Sequence, residues 1–122
     1  MPLLYQAADI HVLCSLNEVM GISIVEAMAS GRMNLVHTWG SVEWVVGGTG
    51  RVLDMEATGL LARELRSLDR ETCIRQGELA RKRAIDMFSV EAVVGQMLAM
   101  YDAVLRGRGL RKRLVEPATA SP

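Results

Sequence analysis

Residues 15–31 read SLNEVMGISIVEAMASG, and they decide the fold class of this 122-residue chain. The residues just before them, 10–14 (IHVLC), form a short apolar run that predicts a buried strand. Gly21 then predicts the start of a helix over residues 22–30, and Gly31 stands where a C-terminal cap is favoured. A strand followed directly by a loop and a helix favours an α/β domain.

The rest of the chain continues this alternation. A short helix is predicted at residues 3–8, further strands at 34–37 and 51–53, and a turn at the glycine-rich residues 47–50. Three more helices are predicted: one over residues 56–68, one from 70 to about 87 capped by Asp69, and a last one capped by Ser89. We therefore expect a short parallel sheet with flanking helices and a helical C-terminal half.

Composition excludes several classes of protein. Half of the residues are hydrophobic and 23% are charged, which is typical of a globular domain. Two cysteines, Cys14 and Cys73, are too few for a disulfide-dense secreted scaffold, and we expect both to be buried. The sequence has no run of about 18 uninterrupted apolar residues, so no membrane span is predicted. The first residues, MPLLYQAAD, do not resemble a signal peptide, which favours a cytoplasmic location.

The formal net charge is zero, but it is unevenly distributed. Residues 1–62 carry six acidic side chains against only Arg32 and Arg51, whereas residues 63–122 carry eight acidic and twelve basic ones. The basic residues from 106 onward lie among glycines and prolines, which predicts a disordered, solvated tail. Weak contact with an anionic membrane surface is the alternative for this tail. A nucleic-acid role is not favoured, because no aromatic residue is interleaved with these bases.

The chemistry concentrates in residues 15–31. Glu18 follows the first predicted strand, and ligands of open α/β sheets bind at the carboxyl ends of strands. Gly21 allows the backbone to approach a ligand and turn into the helix, whose first N–H groups, in residues 20–23, can bind a phosphate. Glu26 lies about one turn into that helix. Two carboxylates flanking an anion site suit a nucleotide sugar, and solvated surface charges are the plain alternative.

Other polar residues are interpreted as structural. We expect His11 to be packed or at a sheet edge, and His37 to end a strand near the mouth of the crevice. A strand, not a helix, follows residues 47–50, so we interpret them as a turn and not as a phosphate-binding loop. No His or Cys cluster has the spacing of metal ligands, and no metal site is predicted.

The segment around Glu18 and Glu26 resembles the E-x7-E signature of retaining GT-B glycosyltransferases, in the group with mannosyl- and glucosyl-transferase members. The likeness extends through most of residues 1–105. It rests on an ordered set of short matches: YQAADIHVLCS (5–15), EAMASGR (26–32), VVGGTGRVLD (45–54) and FSVE (88–91).

The resemblance implies a role for each matched residue. Glu18 is implied as the catalytic residue that contacts hydroxyls of the donor sugar, and Glu26 as the ligand of the nucleotide ribose. The loop amides that meet the sugar and the diphosphate are implied to be those of Met20, Gly21, Ile22 and Ser23. The implied reaction transfers a hexose from a nucleotide-diphosphate sugar to an acceptor hydroxyl with retention. The nucleotide sugar is the donor substrate, and no cofactor or metal is implied.

Departures from the family pattern also carry predictions. Val19 and Met33 stand where the family has Gly and Pro, and Glu43 is displaced by one position from the family's Gly-Gly-x-x-Glu. The family's diphosphate-binding Arg and Lys would lie upstream of Met1, as would the acceptor domain. We therefore expect residues 1–105 to be an incomplete, Rossmann-like GT-B C-terminal domain, followed by the basic tail 106–122. The chain alone is expected to be inactive without its N-terminal domain or a partner chain. The alternative is a non-catalytic interaction module or a split-transferase subunit.

Overall fold

The computed structural model describes residues 2–106, and these contain six helices and three strands. In chain order they are α1 (Pro2–Ala7), β1 (Ile10–Leu13), α2 (Ile22–Ala29), β2 (Met33–His37), α3 (Gly40–Val46), β3 (Arg51–Leu53), α4 (Leu60–Ser67), α5 (Arg70–Phe88) and α6 (Val90–Leu105). The chain divides into two compact units, Met1–Phe88 and Ser89–Pro122. The first unit holds the sheet and α1 to α5, and the second holds α6.

The sheet of the first unit confirms the predicted α/β class. Its three strands are parallel and lie in the order β1-β2-β3, with Ile10 paired to Met33 and Val36 paired to Val52. Every residue of the central strand β2 is buried. β1 is only half-buried, and not buried as predicted, because within the described sheet it pairs on one side alone.

The core of this unit lies between the sheet and three helices. It is built mainly from aliphatic side chains and small alanines, and burial of each large one contributes roughly 1.5–3 kcal/mol. Its members are Ile24 and Met28 of α2, Val36 of β2, Val42, Val45 and Val46 of α3, and Ala80 and Ala84 of α5.

Helix α2 ends as its sequence predicts. Gly31 adopts a left-handed conformation with φ of 73°. Its N–H donates to the carbonyl of Met28 at 2.9 Å, and the next N–H, of Arg32, donates to the carbonyl of Ala27 at 2.9 Å. This pair of bonds is a Schellman motif, in which glycine is favoured because it has no Cβ.

Helix α5 approaches the end of α2 closely enough to require a second glycine. A Cβ on Gly77 would lie only 2.1 Å from the carbonyl oxygen of Gly31. At this separation arginines of α5 reach carbonyls of two other helices. Arg81 donates to the carbonyl of Ala29 at 2.8 Å, and Arg83 donates through Nε to the carbonyl of Val45 at 2.9 Å.

Arg81 and Arg83 supply positive charge at the C-terminal ends of α2 and α3. Neither α2 nor α3 has a basic residue in its own last turn. The carbonyls at a helix C-terminus carry partial negative charge and lack intrahelical donors. Arg81 and Arg83 therefore satisfy both helix ends from a third element, and they couple the position of α5 to those of α2 and α3.

Two helix predictions need correction. The helix predicted from residue 56 begins at Leu60, because Asp54 accepts the N–H of Glu56 at 3.0 Å and the chain then turns at Gly59 with φ of 78°. Helix α3 was not predicted at all. Its N-cap is Trp39, whose side chain makes no capping bond, so the usual start signal is missing.

The predicted caps of the two long helices are confirmed. Asp69 Oδ1 accepts the N–H of Thr72 at 2.7 Å at the start of α5. Ser89 Oγ accepts the N–H of Ala92 at 3.2 Å at the start of α6. The predicted disordered tail lies, apart from Arg106, outside the described residues. The division into domains at residues 105 and 106 therefore stays a prediction.

Within residues Arg70–Leu105, which hold α5 and α6, one window is long and apolar enough to cross a membrane by length and composition. The sequence predicted no span, because it has no run of about 18 uninterrupted apolar residues. A single window of this kind is weak evidence for a span, and none of it is buried within the described residues.

The close approach of α5 to α2 predicts an opposite response to alanine at two helical glycines. Gly77→Ala should destabilise the protein by about 1–3 kcal/mol or more, because the added methyl meets backbone that cannot move aside cheaply. Gly95→Ala in α6 meets nothing within 4 Å and should stabilise its helix by about 0.8–1 kcal/mol. Urea unfolding followed by circular dichroism measures both. A Gly77→Ala variant as stable as wild type would contradict the close approach.

Candidate functional site

The loop after β1 lies at the carboxyl edge of the parallel sheet. β1 ends at Leu13 and α2 begins at Ile22, so residues 14–21 form the loop that connects them. Cys14 is exposed in this loop, contrary to the expected burial, because the strand ends one residue before it. Parallel α/β sheets bind ligands at this edge. The loop and the first turn of α2 are therefore the part of the chain best placed for a ligand.

Gly21 is the residue that turns this loop into α2. Its φ of 67° lies in the left-handed region, and it is the N-cap of the helix. A Cβ here would lie 2.7 Å from Cδ1 of Ile24 and 3.3 Å from Cδ2 of Leu13. The Cβ position of Gly21 thus faces the protein interior. Glycine is needed here for the left-handed turn and for close packing against Ile24 and Leu13, and its missing side chain does not leave room for a ligand.

The residues around Gly21 leave the start of α2 accessible. The side chains of Met20 and Ile22 are exposed, and Ser23 is half-buried. The first N–H groups of a helix have no intrahelical acceptors and carry partial positive charge. This eight-residue helix therefore offers an anion its amides and a nearby hydroxyl.

Both the backbone carbonyl and the carboxylate of Glu18 accept hydrogen bonds. Glu18 Oε1 accepts the N–H of Val19 at 3.0 Å, and Ser41 Oγ donates to the carbonyl of Glu18 at 2.8 Å. Ser41 belongs to α3, the helix that sequence reasoning missed, and so this partner of the loop was missed as well. The displaced Glu43 accepts from Thr38 Oγ1 at 2.8 Å, next to the carboxyl end of β2.

Glu26, in the second turn of α2, has a partner in α1. The hydroxyl of Tyr5 donates to Glu26 Oε2 at 2.9 Å. The pKa of Tyr5 is raised, first by burial and then by the hydrogen bond and negative charge of Glu26, which stabilise the protonated phenol. Tyr5 was not predicted as a site residue, because residues 21 positions apart in the sequence carry no signal of contact.

His11 continues this set of contacts into the sheet. Its ring lies edge-on to the ring of Tyr5, with centroids 5.9 Å apart. Its Nδ1 lies 2.8 Å from Oδ1 of Asn34, which is fully buried and donates in turn to the carbonyl of Arg32 at 3.0 Å. Burial lowers the pKa of His11, and the bond to Asn34 opposes that shift in part. These contacts agree with the packed role expected for His11.

His37 is also held by backbone. It ends β2, it is buried, and its Nδ1 accepts the N–H of Met55 at 3.1 Å. A ring nitrogen that accepts a hydrogen bond carries no proton, so the proton of the neutral ring is on Nε2. The ring thus anchors the segment that follows β3.

The two arginines of the acidic first half are occupied elsewhere. Arg32 donates to the carbonyl of Ala8 at 3.0 Å, at the amino edge of the sheet. Arg51 begins β3 and forms a 3.2 Å ion pair with Glu64 of α4. Neither contact lies at the carboxyl edge, where the loop after β1 is found.

A cleft of about 170 Å³ also lies at the amino edge, and none of the predicted site residues lines it. Burial raises the pKa of its Cys73, with added effects of Asp69 and Asp9, so this thiol stays protonated at neutral pH. Among residues 2–106, no group of three His, Cys, Asp or Glu side chains is placed to hold a metal ion. The cleft is lined by Asp9, Gly31, Arg32, Cys73, Ile74 and Glu78.

Comparison with known proteins gives one family match and two relatives whose names agree with it. Residues 1–70 match the family described as glycosyl transferases group 1. The chain is 33% identical over 109 residues to an MMP alpha-(1->4)-mannosyltransferase of Mycolicibacterium hassiacum. This aligned region covers 84% of this chain and 26% of that protein. It is 36% identical over 102 residues to a D-inositol 3-phosphate glycosyltransferase of Corynebacterium glutamicum. This second aligned region covers 80% of this chain and 24% of that protein. The chain thus spans about a quarter of the length of these relatives.

The bond between Tyr5 and Glu26 predicts a measurable coupling. Glu26→Gln should lower the pKa of Tyr5, because the variant removes the negative charge that favours the protonated phenol. The effect of burial remains, so the pKa should stay above the ordinary tyrosine value. NMR titration of the ring resonances of Tyr5, with Tyr101 as the internal control, measures this. An unchanged Tyr5 titration in Glu26→Gln would show that the two side chains are not bonded.

The lowered pKa of His11 predicts a loss of stability on acidification. Because the unfolded chain takes up this proton at a higher pH than the folded one, the free energy of unfolding should fall as pH drops below 6.5. The loss ends once pH passes the lower folded pKa. His11→Asn keeps a donor for Asn34 and cannot titrate, so its stability should vary less over this interval. Urea unfolding at a series of pH values compares the two, and equal pH dependence would contradict the prediction.

Proposed function

Because the chain belongs to the glycosyl transferases group 1 family, we propose that its loop after β1 and the start of α2 form the sugar and ribose side of a nucleotide-sugar site. In this proposal Glu18 contacts hydroxyls of the donor sugar and Glu26 binds the ribose. The amides of Met20, Gly21, Ile22 and Ser23 meet the sugar and the diphosphate. The observation that carries the proposal is the junction of Glu18, a left-handed Gly21 and the N-terminus of α2 at the carboxyl edge of the sheet.

The proposed reaction of the complete enzyme is hexosyl transfer with retention. The bond between the sugar C1 and the diphosphate breaks, and a bond from C1 to an acceptor hydroxyl oxygen forms with the same anomeric configuration. The nucleoside diphosphate leaves with the bonding electron pair, and its leaving oxygen takes up the proton that the acceptor hydroxyl loses. Amides at the start of α2 are suited to the charge that develops on the leaving diphosphate. Glu18 is the proposed catalytic residue because it would contact the reacting sugar.

This chain by itself is proposed to bind donors weakly and to lack turnover. A diphosphate carries about two negative charges, and such anions are held best by Arg or Lys. Arg32, Arg81 and Arg83 instead bond to backbone carbonyls at the ends of other elements. We propose that the missing cations and the acceptor site come from a preceding domain or a partner chain.

A binding experiment on the purified chain tests the proposed site. Amide resonances of residues 14–26 should shift in ¹H–¹⁵N NMR spectra on titration with UDP-, GDP- or ADP-sugars. Glu26→Ala should weaken binding roughly tenfold, since a hydrogen bond to a charged group contributes about 1.5–3 kcal/mol. Glu78→Ala removes an exposed carboxylate of α5 and should leave the affinity unchanged.

Three results would contradict the proposal in different ways. Turnover of a nucleotide sugar by the chain alone would overturn its predicted inactivity. Binding that Glu26→Ala does not weaken would overturn the proposed role of Glu26 as the ribose ligand. Shifts confined to residues outside the loop and the start of α2 would place the ligand elsewhere.

The second candidate is a non-catalytic module that associates with another polypeptide. It is favoured by the apolar side chains of Leu16, Val19 and Ile22, which are exposed at the carboxyl edge, and by the half-buried strand β1. Sedimentation equilibrium separates the candidates. Self-association at micromolar concentration would support an interaction surface, and a clean monomer would argue against it.

A further inference from the structure

The two glutamates of the proposed site are each bonded to a hydroxyl group from a neighbouring helix, but in different ways. Ser41 Oγ donates to the backbone carbonyl of Glu18 and so fixes the loop. The Tyr5 hydroxyl donates to the carboxylate of Glu26 itself, at 2.9 Å from Oε2. Only the second bond acts on the group that would touch a ligand.

The bond from Tyr5 restricts the carboxylate because Tyr5 is itself held in position. Its ring lies edge-on against His11, and His11 bonds to Asn34 in the central strand. Asn34 is fully buried and also bonds to the backbone at Arg32. The phenol oxygen is therefore linked through the side chains of Tyr5, His11 and Asn34 to the fully buried central strand β2. An exposed glutamate without such a partner would sample several rotamers.

The geometry leaves the carboxylate able to bind a diol. An ionised carboxylate has about four acceptor positions on its two oxygens, and Tyr5 occupies one position on Oε2. Oε1 and the second position of Oε2 remain for two adjacent hydroxyl groups. A carboxylate held in one orientation loses less freedom when it accepts those two hydrogen bonds, so it binds a diol more tightly than a mobile one.

We propose that Tyr5 is a positioning residue that orients Glu26 toward the 2′- and 3′-hydroxyls of the nucleotide ribose. The inference rests on the proposed function, because it takes Glu26 as the ribose ligand. It adds that discrimination between ribose and 2′-deoxyribose depends on a side chain that does not touch the nucleotide.

The experiment compares ribonucleotide and deoxyribonucleotide affinity in four proteins. The proteins are wild type, Tyr5→Phe, Glu26→Ala and Ser41→Ala. Each is titrated with a nucleoside diphosphate, chosen from UDP, GDP and ADP as the one that wild type binds, and with its 2′-deoxy counterpart. Dissociation constants come from ¹H–¹⁵N NMR shifts, and the same spectra report whether each variant is folded. Phe keeps the ring against His11 and removes only the hydroxyl.

Wild type is expected to bind the ribonucleotide more tightly than the deoxy form. Tyr5→Phe should reduce this ratio roughly threefold to tenfold. Affinity for the deoxy form should fall less, because that form keeps only the 3′-hydroxyl to bond to Glu26. Ser41→Ala should keep the wild-type ratio, because its hydroxyl bonds to the Glu18 loop and not to the Glu26 carboxylate.

The outcomes separate this inference from the proposed function. No nucleotide binding by wild type would overturn both. If Glu26→Ala abolishes the ribose preference and Tyr5→Phe retains it, only the role of Tyr5 is overturned. A Tyr5→Phe variant that weakens both nucleotides equally would show a general structural role, and this would also overturn the inference.

Discussion

The backbone contact between α5 and the end of α2 is the constraint on which the first unit depends. Two glycines make this contact possible. Gly31 ends α2 in a left-handed conformation, and Gly77 has no Cβ that would clash with the carbonyl oxygen of Gly31. Because α5 lies this close, Arg81 and Arg83 reach the C-terminal carbonyls of α2 and α3. One close approach thus satisfies two helix ends that carry no basic residue of their own.

The same contact explains how the opposite edge of the sheet is organised. α2 runs from the carboxyl edge, where Gly21 starts it, to the amino edge, where α5 holds its end. Fixing one end of an eight-residue helix fixes the direction of its other end, and with it the position of Glu26. α3 is held by Arg83 in the same way, and its Ser41 bonds to the loop that carries Glu18. The candidate site therefore depends on packing at the edge farthest from it.

The sequence predicted those parts of the fold that depend on local signals. The three strands, α2 with its glycine cap, and the capped helices after Asp69 and Ser89 all follow from residues close in the chain. α3 has no polar N-cap and only seven residues, so its formation depends on burial of Val42, Val45 and Val46 against other elements. The positions of Glu18 and Glu26 were predictable from motif spacing, but their partners Ser41 and Tyr5 come from residues more than 20 positions away.

The electrostatics of the proposed site explain why such partners matter in this chain. Its first 62 residues carry six acidic and two basic side chains, and both basic ones are paired away from the loop after β1. A donor diphosphate would meet helix amides but also the negative charges of Glu18 and Glu26. In the proposed site, charge attraction would then contribute little to the affinity of this chain alone, and hydroxyl groups of the sugar and ribose would supply most of it. Hydrogen bonds from ligand hydroxyl groups depend on the direction of the accepting oxygens. Side chains that hold the carboxylates in one orientation would therefore contribute more to the free energy of binding here than they would in a site with several cations around the diphosphate.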